Sequence, residues 1–254
     1  MHIYSRWLCP LCVLRENGLK MEAAKQLICI LGMHRSGTSC VTGSLQQGGL
    51  NLGDCHTWNP HNKKGNRENQ VFVDLNDSVL ASNGGAWDLP PKKSRWNAEQ
   101  LERAKKLLEN NFGESPLGFK DPRTLLVVSG WKKVYPEIQF VGVFRHPNAV
   151  AQSLQKRSDM PQEKAFSLWF AYNQALLREH KKSAFPILCF DDDEAVFHTK
   201  LSRVANDLGL TRESDDKRFY DERLRTSNSN ANQPGKPLPW KLKRLYSRLL
   251  KRSV

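Results

Sequence analysis

Four groups of residues in this sequence carry chemistry suited to an anion and to proton transfer beside it. The first is Gly32-Met33-His34-Arg35-Ser36-Gly37-Thr38-Ser39, which gathers two glycines, an arginine and three hydroxyls into one turn. Glycines let backbone N–H groups approach a ligand closely. A helix opening after such a turn aims its free N–H groups and positive dipole end at the same point. The second group is Arg145 followed by Ser153, a permanently charged fork of donors and a hydroxyl two helical turns further on. The third is Lys120 within Phe119-Lys120-Asp121-Pro122-Arg123, and the fourth is Glu68, a carboxylate able to take a proton.

These groups can act together only if the chain brings them to one edge. Leu27-Ile28-Cys29-Ile30-Leu31 is a continuous apolar run closed by Gly32, the pattern of a buried parallel strand. Residues 116–120, 138–144 and 186–190 read as three further strands. Helices are expected between them. One covers 38–47 and stops at Gly48-Gly49. Another carries Glu68, Phe72, Leu75 and Val79 on its inward face and stops at Asn83-Gly84-Gly85. A third opens with an Asn97…Gln100 capping box. Others cover 125–134, begin at Pro147, bury Trp169 and Leu176, and end near Leu208. Strands alternating with helices imply an α/β fold, a single domain with a central parallel β-sheet flanked by helices. Ligands of such sheets bind at the carboxyl ends of the strands, where Gly32, Lys120 and Arg145 all fall. The expected boundaries are an N-terminal extension over 1–24, a domain over 25–225, and a linker with a basic helix over 226–254.

The first loop has the Gly-x4-Gly spacing of a P-loop with Thr38 in place of the following lysine. That lysine normally reaches the outer phosphates of a nucleoside triphosphate, and the adjacent hydroxyl binds magnesium. Its loss points away from ATP or GTP chemistry. Arg35, Ser36, Gly37, Thr38 and Ser39 suit a smaller anion with no required metal.

At these residues the chain resembles the PAPS-dependent sulfotransferases (PAPS is 3′-phosphoadenosine 5′-phosphosulfate), whose loop after the first strand carries a Lys- or Arg-Ser-Gly-Thr core. The Arg35 version is similar to tyrosylprotein and many bacterial sulfotransferases. The resemblance covers about Leu27 to Thr211 and implies a P-loop-like fold, PAPS as co-substrate and adenosine 3′,5′-bisphosphate as product. It implies that Arg35 to Ser39 hold the 5′-phosphosulfate and that Arg145 and Ser153 hold the 3′-phosphate. Lys120, in a Lys-Asp-Pro element, would contact the donor sulfate. Gly65-Asn66-Arg67-Glu68 resembles the Gly-x-x-Glu element whose Glu is the base. Sulfuryl transfer needs a base at the acceptor hydroxyl and cations where charge gathers on oxygen, so Glu68, Lys120 and Arg35 are the expected catalytic residues. His34 and His61 are rival bases, and Asp121 is expected to orient Arg123.

The chain has 254 residues with 39 Lys plus Arg against 26 Asp plus Glu, a net charge of +13. Such an excess suits an anionic ligand, a membrane surface or a nucleic acid. Cysteines at 9, 12, 29, 40, 55 and 189 form no disulfide framework, and Cys9-Pro-Leu-Cys12 lacks the second pair a zinc site needs. Reduced thiols with no spanning segment give a cytoplasmic expectation. From Lys236 onward there are seven basic residues and no acidic one, with Leu242, Leu245, Leu249 and Leu250 at helical spacing. Docking on the domain is favoured over peripheral membrane contact for that helix. The expected partner is a hydroxyl-bearing acceptor, acidic or carbohydrate. Trp58, Trp87 and Trp96 hint at stacking on it. The competing readings are a P-loop kinase, which the missing lysine disfavours, and a basic RNA-binding module, which the placement of aromatics on core faces disfavours.

Overall fold

A computed structural model describes residues 25–58, 65–210 and 238–254. The N-terminal extension, the linker, His61 and the cysteines at 9 and 12 lie outside the described residues. The elements are β1 (Leu27–Gly32), α1 (Thr38–Gln47), α2 (Gln70–Ser82), α3 (Ala98–Asn111), β2 (Leu117–Lys120), α4 (Thr124–Val134), β3 (Gln139–Phe144), α5 (Pro147–Ser158), α6 (Gln162–Lys182), β4 (Ile187–Cys189), α7 (Glu194–Asp207) and α8 (Trp240–Leu250).

The strands form one sheet in the order β2-β1-β3-β4, with every pairing parallel. Register places Ile30 beside Lys120 on one side and Val141 on the other. Strand side chains alternate between faces. Leu27, Cys29, Leu31, Phe119 and Phe144 therefore pack with α2 to α6 and α8 on one face, whereas Ile28, Ile30, Val141, Val143 and Leu188 pack with α1 and α7 on the other. Both layers are dry, which is why these strands read as unbroken apolar runs.

The strand order fixes where a ligand belongs. The connection from β1 runs to β2 on one side, and the connection from β3 runs to β4 on the other. Neighbouring strands whose connections leave in opposite directions open a crevice at their carboxyl ends, and here that crevice lies between β1 and β3.

Three polar choices hold this frame. Asn97 accepts from the Gln100 N–H at 2.8 Å while Gln100 Oε1 accepts from the Asn97 N–H at 3.0 Å, the capping box expected at α3. Asn76 is fully buried on α2. Its amide donates to Asp121 Oδ2 at 2.8 Å and Thr124 Oγ1 at 3.0 Å and accepts from Trp131 Nε1 at 2.9 Å, tying α2 to α4 and the end of β2. The docked reading of α8 is the one observed: Leu242, Leu245 and Leu249 are buried against the same core as Trp169. Among the described residues no helix is long and apolar enough to cross a membrane.

Candidate active site

The loop after β1 is shaped by close approaches. A Cβ on Gly32 would lie 2.6 Å from the Val143 carbonyl oxygen, so only glycine lets the loop leave between β1 and β3. Gly37 has φ +87, and a Cβ there would fall 2.2 Å from the Phe190 ring, which packs across the loop. Arg35 also takes a positive φ of 66. A non-glycine residue in the left-handed region signals a loop held by its surroundings.

Three features suit this loop to an anion. Helix α1 begins after Gly37 with no side-chain cap and no acidic residue in its first turn, so its N-terminus is electrically open. Ser36 is fully buried, and among the described residues its Oγ has no hydrogen-bond partner. A buried hydroxyl left unpaired is costly unless a ligand completes it. The third feature is positive charge. Burial, reinforced by the charges of Arg157 and Arg145, lowers the pKa of Arg35 to about 10. It remains a cation at neutral pH, crowded by like charges that an anion would relieve.

Arg35 reaches across the crevice. Its Nε donates to Ser153 Oγ at 2.7 Å. Ser153 is buried on α5, two turns beyond Arg145 as expected, but the arginine it meets there is Arg35, from the first loop. Arg145, at the end of β3, is buried and set by the segment after β4: its Nε lies 3.3 Å from Asp191 Oδ1, and its guanidinium sits 5.4 Å from the Phe190 ring centroid. Trp169 Nε1 holds the Arg145 carbonyl at 2.9 Å, and the His146 N–H donates to Asp191.

Lys120 ends β2 on the α1 face of the sheet, the same side as Gly118. The α1 residue it meets is Ser39. Buried to 2% exposure, its Nζ donates to Ser39 Oγ at 3.3 Å and to Glu68 Oε1 at 2.7 Å. Ser39 Oγ in turn donates to the Asn66 carbonyl at 3.0 Å. Glu68 is thus delivered to the loop, but not from a helix as its spacing with Phe72 suggested. Asn69 is the N-cap of α2, extended at φ −92 and ψ 123, with its side chain accepting from the Val71 N–H. Glu68 therefore precedes the helix. Its segment is pinned instead to His56, whose N–H donates to the Glu68 carbonyl at 2.9 Å and whose carbonyl accepts from Arg67 N–H at 3.0 Å. Gly65 allows this pairing, since a Cβ there would sit 2.3 Å from the His56 carbonyl oxygen.

Asp121 is buried and orients Arg123, accepting from Nη1 at 2.8 Å. Burial raises its pKa to about 6 in spite of Arg123. His34 packs between the rings of Trp87 (4.7 Å) and Tyr172 (6.0 Å), with its Nε2 enclosed and unpaired. Burial and the charges of Arg123 and Lys120 hold its pKa well below the usual imidazole value, so it is neutral at neutral pH. Of the tryptophans, Trp96 is a packing residue, lying on Gly130 and donating to the Val127 carbonyl at 2.9 Å. Trp58 is 69% exposed. Phe190 and Asp191 are site residues the sequence did not point to. Their signal was their place, immediately after β4 at the same sheet edge.

The chain matches no protein-family model. No curated protein matches it. Among solved structures it is similar to the sulfotransferase domain of the Synechococcus PCC 7002 olefin synthase, with a TM-score of 0.57 at 15% identity over 92% of this chain and 98% of that one. It also aligns with a sulfotransferase from Mycobacterium tuberculosis at a TM-score of 0.44 and 16% identity, over 90% of this chain and 77% of that one. The parallel sheet, the glycine-bounded loop after its first strand and the match along nearly the whole chain give one conclusion about architecture: this chain has a sulfotransferase-like α/β fold.

Proposed function

We propose that this chain is a sulfotransferase that moves a sulfuryl group from PAPS to an acceptor hydroxyl. The observation that carries the reading is Lys120, whose Nζ lies between Ser39 Oγ and Glu68 Oε1 at the rim of an uncapped loop with an unpaired buried Ser36 hydroxyl. The fold likeness to a sulfotransferase domain supports it.

The loop residues fit the 5′ end of such a donor. Ser36, Thr38, Ser39 and the α1 N-terminus would receive its anionic group, and Arg35 joins the loop to Ser153. Arg145 and Ser153 fit the 3′-phosphate as charge-assisted donors. When bound, the donor supplies an activated sulfuryl group: its bond to the 5′-phosphate oxygen breaks as a bond to the acceptor oxygen forms, and the electron pair leaves with adenosine 3′,5′-bisphosphate. Glu68 takes the acceptor proton. An ammonium has three donors. Lys120 spends two on Ser39 and Glu68, leaving one for an oxygen of the transferred group. Arg35 offers further donors where negative charge gathers. The excess of positive charge suits an acidic acceptor, among glycans, tyrosine peptides and small metabolites.

Ser39 speaks against the kinase alternative. It occupies the hydroxyl position that binds magnesium in P-loop enzymes, yet its Oγ receives the Lys120 ammonium, which repels a cation. The large aromatics Trp131 and Trp169 are fully buried and offer no face for stacking on bases, which leaves Trp58 and Trp240 as the exposed tryptophans among the described residues.

The test is incubation with radiolabelled PAPS and panels of glycan, tyrosine-peptide and small hydroxyl acceptors, with a metal chelator present. Label transfer to one class is expected. No transfer to any panel, together with magnesium-dependent ATP turnover, would replace this reading with the phosphotransferase one.

A further inference from the structure

The outer face of α8 has no role in the site. The inner face, Leu242, Leu245 and Leu249, is consumed by docking on the core. At 100° per residue, Trp240, Arg244 and Lys251 project opposite to those leucines, flanked by Lys241, Lys243 and Leu250. All six are exposed. Trp240 is 65% exposed and Leu250 42%, which places two large apolar side chains among cations on a helix already satisfied on its other side.

The charge extends beyond this helix. Helix α6, which packs on α8, ends in His180-Lys181-Lys182, with both lysines exposed. Arg252 is close enough for its charge to disfavour a proton on His180. The one acidic group on that turn, Glu179, is buried and already engaged by Lys182 at 2.8 Å. Residues 238–254 contain no acid at all. Outside the Lys182–Glu179 pair the patch is cationic.

We propose that the outer face of α8, with the last turn of α6, docks on an anionic lipid bilayer while α8 stays packed on the domain. Charge complementarity selects an anionic partner, and the exposed Trp240 and Leu250 select a bilayer among anionic partners. A tryptophan is favoured at the headgroup level, and an aliphatic side chain gains from the acyl boundary, whereas a polynucleotide offers Leu250 nothing. The docking also has a spatial consequence. Tyr246, on the flank of α8, meets the His146 ring at 4.9 Å, directly beside Arg145. Bilayer contact would hold the domain by the element that borders the β3 end of the crevice.

The experiment is co-sedimentation of the full chain with phosphatidylcholine vesicles with and without phosphatidylserine, at low and physiological ionic strength. Binding is expected only with phosphatidylserine, and weaker at the higher salt. The triple variant Lys241→Glu, Arg244→Glu, Lys251→Glu should lose it, at roughly fivefold per charge removed. Trp240→Ala should weaken it several-fold at physiological salt while leaving all charges in place. These positions are exposed, so the fold should survive, and circular dichroism would verify that. Absence of phosphatidylserine-dependent binding, or binding unchanged in the triple variant, overturns the proposal. Binding that ignores Trp240→Ala and is displaced by polynucleotide also overturns it, in favour of a general polyanion surface.

Discussion

Arg35 Nε donates to Ser153 Oγ at 2.7 Å, joining residues 118 apart in sequence across the crevice between β1 and β3. One side chain thereby belongs to both proposed anion-binding elements. The loop that would hold the 5′ end of a donor and the helix that would hold its 3′-phosphate are set at a fixed spacing before any ligand arrives. Preorganisation of this kind reduces the ordering a ligand must impose.

Ser153→Ala should therefore weaken binding of adenosine 3′,5′-bisphosphate more than binding of AMP, because the loss falls at the 3′-phosphate. Removing a hydrogen bond to a charged group costs about 1.5–3 kcal/mol, a loss of roughly ten- to a hundredfold in affinity. Titration calorimetry with both nucleotides reads this directly. Equal losses for the two would mean that Ser153 acts only by holding Arg35.

Lys120 and Glu68 form a pair that should fail in different ways. Glu68→Gln keeps the size and a hydrogen-bonding oxygen for Lys120 but removes the proton acceptor. Turnover should fall about 10²–10⁴-fold with donor affinity nearly unchanged. Lys120→Ala should lower turnover as well and should also leave Glu68 without its 2.7 Å partner. Steady-state kinetics on both variants separate these effects. Near-normal turnover in Glu68→Gln would pass the base role to His34 or His61, although burial and the neighbouring cations make His34 a weak proton acceptor.

The parts of this fold legible in the sequence were those governed by local rules. β1 and α1 are where the apolar run and its glycine stops place them, and the α3 capping box has both of its bonds. Glu68 was misplaced onto α2 because Phe72, Leu75 and Val79 extend backward at helical spacing. The contrary signal, Asn69 standing as an N-cap residue directly before Gln70, was present. Ser153 was paired in the sequence with Arg145, but its hydrogen-bond partner is Arg35, from a loop more than a hundred residues away, and no local pattern encodes such a contact. Asn76 shows the same limit. It lies on the buried face between Phe72 and Val79, and only the folded arrangement of Asp121, Thr124 and Trp131 explains a polar residue there.

That buried network has a pH signature. Burial raises the Asp121 pKa from 3.8 to about 6. The folded state then binds a proton that the unfolded state has released, so this group makes stability fall as pH rises between about 4 and 6. Asp121→Asn removes the titration and should flatten that part of the profile. It should also lower stability by about 1–3 kcal/mol, since an amide nitrogen would oppose Asn76 or Arg123. Urea unfolding of both proteins across this range gives the slope difference. Parallel profiles would show that Asp121 titrates alike in the folded and unfolded chain.

We propose that the crevice between β1 and β3 is built for a nucleotide with phosphates at both its 3′ and 5′ positions. Calorimetric titration of the full chain with adenosine 3′,5′-bisphosphate and with AMP, in the presence of a metal chelator, tests it most directly. Binding is expected without metal, tighter for the bisphosphate by roughly tenfold or more, as one additional charge-assisted phosphate contact implies. Equal affinity for the two nucleotides, or binding that appears only when magnesium is restored, would contradict it.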